Sequence, residues 1–334
     1  MRLVYERATS GARGVVQHRR ALIVAGPTCS GKSALALDLA ERLGGTVINA
    51  DSMQIYRELR IVTARPSLAE EARVPHRLYG VRPAASPGSM AWWRQEALRD
   101  MAESPGMPIL CGGTGLYLSA LVNGIADIPE PDPAIREEAR ALLAEQGAAA
   151  LHARLAEADP ITAARLRPSD SQRIARAWEV WRSTGRSLAA WQASAHAPAA
   201  WEFRTIVLDP PREALRAALA QRFAAMVELG ALEEVASLLA QGLDPSLPAM
   251  RALGVPELAA YLRGETPLEA AIAQAVQASG QYTKRQATWF RNRPPVGREA
   301  DRTGLHTIHA RSVGLEQYSE SARGEILNFI HAVG

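Results

Sequence analysis

The chain is 334 residues long, 47% hydrophobic and 22% charged, which is ordinary for a globular enzyme of one large domain or two modest ones. No apolar run approaches the ~20 residues needed to span a bilayer, and two cysteines, Cys29 and Cys111, exclude a disulfide framework and a four-cysteine zinc site. A net charge of +3 permits an acidic partner without demanding one. The first 20 residues, MRLVYERATSGARGVVQHRR, are basic and carry no apolar signal segment, so a flexible leader on a cytoplasmic protein is expected. Lysine occurs only at Lys32 and Lys284, and Arg supplies the remaining strong cations.

Residues 21–25, ALIVA, read as a buried parallel strand. Gly26-Pro27-Thr28-Cys29-Ser30-Gly31-Lys32-Ser33 then matches G-x-x-x-x-G-K-[ST], with a strand before it and the helical spacing of SALALDLAERL after it. Glycines let successive backbone N–H groups turn toward one anion, and the helix N-terminus adds positive potential. Lys32 supplies a cation and the Ser33 hydroxyl a ligand for Mg²⁺. The loop therefore indicates a diphosphate or polyphosphate without saying what is attached to it.

GTVINADS is a second strand that ends at Asp51, and carboxyl ends of parallel strands face the ligand crevice. Asp51 is a general base, part of a metal shell, or a turn cap. MPILCGGTGLYLSALVNG is a further strand, a glycine turn and a helix, and RTIVLDPPREALRAAL repeats the pattern with Asp209 placed as a helix cap. Neither supplies a strong magnesium-binding strand of the NTPase kind: the first closes on Cys111-Gly112-Gly113, the second on Asp209.

The segment 127–200 breaks this rhythm. It holds helix starts at Asp132-Pro133 and Asp159-Pro160, a third helical run from Ser169, and no strand. The reading is an α/β fold: a P-loop NTPase-like parallel sheet covered by helices over 21–126 and 201–293, an all-helical insertion at 127–200, a leader at 1–20 and a tail at 294–334 without recognised signal. On the third insertion helix, Ile174, Trp178 and Trp181 share one face, core or base-stacking, while Gln172 and Arg176 point the other way. KRQATWFRNR carries four basic residues and no acid, as phosphate contacts require.

GPTCSGKS, NADSMQIYRELRIVTARPS, HRLYG, ILCGGTGLYLSALVNG, DSQRIARAWEV, MRALGVPEL and KRQATWFRNR occur in this order, and together they resemble the bacterial tRNA dimethylallyltransferases, also called tRNA isopentenyltransferases. The likeness spans residues 21–293. It implies transfer of a dimethylallyl group from its diphosphate to N6 of adenosine 37 in tRNA, with Mg²⁺ as cofactor, by a cytoplasmic monomer. The loop from Gly26 to Ser33 would then hold the diphosphate, with Asp51 as the base, Lys32 and Arg251 acting on the leaving group, and Thr114 orienting the adenosine. Contacts to tRNA are implied for Asp51, Ser52, Met53, Gln54, Thr114, Arg136 and the stretch Gln172, Arg173, Ile174, Ala175 and Arg176. The basic run adds Lys284, Arg285 and Arg291. Val255-Pro256 departs from the family, where a Tyr and a basic residue are common. The rivals are an isopentenyltransferase acting on AMP, an ATP-dependent small-molecule kinase, and a non-enzymatic RNA-binding protein.

Overall fold

The computed structural model describes residues 19–194, 198–296 and 304–332. Its centre is a six-stranded parallel sheet made of β1 (Arg19–Ala25), β2 (Thr46–Asn49), β3 (His76–Arg77), β4 (Pro108–Gly112), β5 (Trp201–Leu208) and β6 (Leu305–Ile308), in the order β3-β2-β4-β1-β5-β6. β1 lies between β4 and β5, with Val24 level with Cys111 and Ile206. Both faces of this strand are covered from Ala21 to Ala25, which is why that stretch is apolar throughout rather than alternating.

The alternation appears instead in which layer each residue enters. Leu22 and Val24 join a layer with α1 (Lys32–Leu43), with Val74 at the end of α2 (Leu68–Arg73) and with α13 (Glu320–His331). Ala21, Ile23 and Ala25 join the opposite layer with α3 (Met90–Glu103), α4 (Gly115–Asn123) and the end of α12 (Leu268–Asn292). A third apolar cluster joins residues 55–62 to α9 (Arg212–Glu228), α10 (Ala231–Leu239) and α11 (Val255–Leu262). Pro256 sits in the first turn of α11, where its missing N–H costs nothing, and Val255 is buried beside it.

Between α4 and β5 the chain forms α5 (Pro133–Ala158), α6 (Pro160–Ala163), α7 (Ser171–Thr184) and α8 (Leu188–Ala193). Asp132, Asp159 and Asp170 each accept a first-turn N–H as caps. These helices enclose their own cluster of Leu151, Leu155, Ile174, Ala177 and Val180. Trp178 and Trp181, expected on the same face as Ile174, are only half-buried. The smaller Ala177 and Val180 fill the centre, and the Trp178 indole donates to Glu138 at 3.3 Å.

Three expectations are corrected. β1 starts at Arg19, inside the expected leader, because it pairs with Trp201 across the sheet; residues 1–18 lie outside the described residues. The tail supplies β6, paired to β5, and α13, whose Ile326 and Ile330 enter the core. Asp209 is not a helix cap: α9 begins after Pro211, and the Asp209 carboxylate accepts two hydrogen bonds from Arg291, at 2.8 and 2.9 Å. Among the described residues, no helix is long and apolar enough to cross a membrane.

Candidate active site

The phosphate loop joins β1 to α1. Cys29 and Gly31 take positive φ, 64° and 88°, and so curl the backbone ahead of the helix. The tail closes over this curl: Arg311 Nε donates to Cys29 O at 3.0 Å, and Ser312 N–H donates to Ser30 O at 2.8 Å. A Cβ on Gly31 would sit 1.7 Å from Ser312 O, so only glycine permits the approach.

The expected eight-residue cradle is narrower than its motif. Pro27 has no N–H, Ser30 N–H turns back to Pro27 O at 3.1 Å, and the Thr28 N–H and hydroxyl both donate to Gln286 Oε1, at 2.9 and 3.1 Å. Anion-binding capacity is left to the end of the loop, where the first-turn amides of α1 have no intrahelical partner. Ser33 is exposed there.

The ends of β2 and β4 form the facing wall. Buried Asn49 fixes the next turn by accepting Asp51 N–H at 2.8 Å and donating to Asp51 O and Leu78 O, both at 3.0 Å. Asp51 Oδ1 in turn accepts Met53 N–H at 2.9 Å. Asp51 thus caps its own turn while its carboxylate lines the adjacent cavity. Thr114 Oγ1 accepts Ser52 N–H at 3.0 Å, and the Thr114 side chain lies near enough to Tyr282 to oppose part of the rise in its pKa. A Cβ on Gly112 would lie 2.1 Å from Ala50 O, so glycine lets the two strand ends meet.

These walls enclose a cavity of about 310 Å³. Its charged lining is Lys32, Arg222, Arg251, Arg285 and the single carboxylate of Asp51, so it is built for a polyanion with one acidic group beside it. Met53, Val62, Leu219, Phe223, Met226 and Leu253 form an apolar side. Burial lowers the pKa of Lys32, with Arg222 adding to the shift and Cys111 and Asp51 opposing it. Burial pushes the Cys111 thiol up to about 11 and the Tyr282 hydroxyl up to about 12, so both stay protonated near neutrality. A hollow of about 560 Å³ at the β3 edge is larger but shares none of these residues.

Of the residues singled out from sequence, Thr28, Lys32, Ser33, Asp51, Ser52, Met53, Gln54, Arg251 and Arg285 meet at this cavity, and Thr114 adjoins it through Ser52. Lys284 and Arg285 line a separate open hollow with Trp289 and Arg293. Arg136 and the stretch from Gln172 to Arg176 are on α5 and α7, outside the cavity lining. Gln172 and Arg173 are exposed, whereas Ile174 is fully buried in the helical cluster and its side chain cannot reach an RNA surface. Arg291 is committed to Asp209 rather than presented as one of a row of free cations. Sequence reasoning missed Arg222, Asn49, Tyr282, Gln286 and the tail contacts.

A family model described as IPP transferase matches residues 54–293. A Granulibacter bethesdensis protein named tRNA dimethylallyltransferase is 62% identical over 95% of this chain and 99% of its own length. A Gluconobacter oxydans protein of the same name is 60% identical over 93% and 94%. Among solved structures, the full-length tRNA isopentenylpyrophosphate transferase of Bacillus halodurans matches with a TM-score of 0.64 at 30% identity, covering 93% of this chain and 97% of that one.

Proposed function

The chain belongs to the IPP transferase family, and from that premise we propose that it transfers the dimethylallyl group of dimethylallyl diphosphate to N6 of adenosine 37 in tRNA. The observation that carries this reading is the cavity that Lys32 and Asp51 line together with a set of apolar side chains. The isoprenoid occupies the apolar side and its diphosphate the loop end. The C1–O bond breaks as N6 bonds to C1; Asp51 takes the N6 proton, and diphosphate leaves with the electron pair. Lys32, Arg222 and Arg251 stabilise the charge that builds on the departing oxygens. Closure of the cavity around the donor keeps water from the allylic carbon.

Mg²⁺ fits the donors present. The Ser33 hydroxyl is a hard oxygen ligand, and the described residues gather no cluster of three or more His, Cys, Asp or Glu. That suits an ion held mainly by water and substrate phosphate. When bound, it supplies Lewis-acid neutralisation of the diphosphate. The adenosine must leave its stack to reach Asp51 and Thr114. Ser52, Met53 and Gln54 contact it at the cavity, Lys284 and Arg285 meet the RNA backbone, and Arg136, Gln172, Arg173 and Arg176 contact the anticodon arm from the helical insertion. The proposed enzyme works as a monomer, and a tRNA substrate supports a cytoplasmic location.

The deciding assay supplies labelled dimethylallyl diphosphate and Mg²⁺ with either tRNA or AMP. Label in tRNA, lost on chelation, is expected; label in AMP alone would overturn the reading. Arg222, whose guanidinium reaches Thr63 O at 3.4 Å and Cys29 Sγ at 3.8 Å, gives a second check. Arg222→Ala should raise the donor KM by about 10–100-fold, the worth of a charge-assisted hydrogen bond, and leave tRNA affinity unchanged.

A further inference from the structure

Gln286 lies on α12, buried at 4% exposure, and its amide spans two loops. Oε1 accepts both the N–H and the hydroxyl of Thr28, at 2.9 and 3.1 Å, while Nε2 donates to Gly113 O at 3.0 Å. The two ends cannot be exchanged, because Thr28 N–H can only donate and Gly113 O can only accept. A Cβ at Gly113 would lie 2.2 Å from Nε2, so the glycine is what lets the amide enter. Thr28 belongs to the loop that ends in Lys32, and Gly113 precedes Thr114. One turn earlier on the same helix, Tyr282 lines the cavity, as does Arg285.

We propose that Gln286 is a positioning residue that holds the diphosphate loop and the Gly113–Thr114 turn at the separation the transfer requires. It reaches neither substrate. It acts by setting the distance between the group that holds the leaving diphosphate and the turn that orients the nucleophile. Attack of N6 on C1 depends on that distance, whereas either substrate alone needs only its own side of the cavity. Misplacement by ~1 Å in such a pair costs about 10²-fold in rate. The inference rests on the proposed transfer reaction for its kinetic arm but not for its structural one.

Two variants separate the ends of the clip. Gln286→Glu retains an acceptor for Thr28 and sets a carboxylate against Gly113 O; Gln286→Leu removes both ends. Both should lower kcat by about 10²-fold, with the KM for tRNA unchanged and equilibrium binding of labelled dimethylallyl diphosphate altered far less than kcat. Thr28→Val should add no further loss in the Gln286→Leu background, because the bonds it removes are already gone. Hydrogen exchange must quicken together at residues 28–31 and 112–114 in Gln286→Leu, and at 112–114 alone in Gln286→Glu. A kcat within about twofold of the unaltered protein would overturn the proposal, as would additive losses or effects that follow only the melting temperature. Should Gln286→Leu not fold, Gln286→Glu carries the same comparison. If the unaltered protein fails to modify tRNA, the transfer reaction falls, and the exchange pattern still decides whether Gln286 sets the register of the two loops.

Discussion

Asp51→Asn should lower the rate of transfer by about 10²–10⁴-fold while tRNA binding persists. An exocyclic adenine amine is a poor nucleophile, since its lone pair is delocalised into the ring, and removing its proton as the new bond forms is the help it needs. Asn is the informative substitution because Asp51 does two jobs. Its Oδ1 accepts Met53 N–H at 2.9 Å, and an amide oxygen retains that bond, so the wall of Ser52, Met53 and Gln54 keeps its shape. What is lost is the proton acceptor. Asp51→Ala loses the turn as well and should be no more active. Added Mg²⁺ separates a base from a metal ligand. With a base, excess Mg²⁺ restores nothing in Asp51→Asn. Restoration by Mg²⁺, or near-normal turnover, would remove Asp51 from the proton-transfer step.

The phosphate loop and Asp51 were legible because their signals are local. An apolar strand, a glycine loop and a helix follow one another within residues 19–43, and Asp51 comes directly after a strand whose carboxyl end must face the crevice. The residues that were not legible act across long stretches of chain. Arg222 reaches Cys29 over 193 positions, Gln286 reaches Thr28 over 258, and Arg311 reaches Cys29 over 282. Gln286 in particular sits in a run whose charges suggest RNA, and nothing in its neighbours reveals that its amide faces inward. β6 escaped notice because four residues at a sheet edge, two of them polar, carry almost no periodic signal. Arg291 misled for the opposite reason: a cation counted in a basic run is here held by a carboxylate 82 positions away. Composition reports how many charges a segment holds, and only packing reports which are already neutralised. Ile174 shows the same limit, since a stretch that contains contact residues must also contain the residue that anchors its helix in the core.

Lys32→Met should weaken donor binding and transfer together, the rate by about 10²–10³-fold, because the ammonium acts on the diphosphate in the bound state and more strongly as the leaving oxygens gain charge. Among the described residues Lys32 Nζ donates only to Pro27 O, at 3.5 Å, and burial is the largest influence on it, disfavouring its charged form. Two consequences have definite signs. Diphosphate binds the ammonium, so donor affinity should fall as pH rises through the lowered pKa, and binding there should take up a proton. The alkaline fall in kcat/KM for the donor should be absent in Lys32→Met. The same desolvation means that the ammonium is held at a cost to folding, so Lys32→Met should melt at the same temperature as the unaltered protein or higher. A variant that is both less stable and fully active would mean that the ammonium stabilises the loop rather than the leaving group. A variant that is inactive yet stable would locate the lost interaction in the substrate, which is the outcome the buried, cation-lined cavity requires.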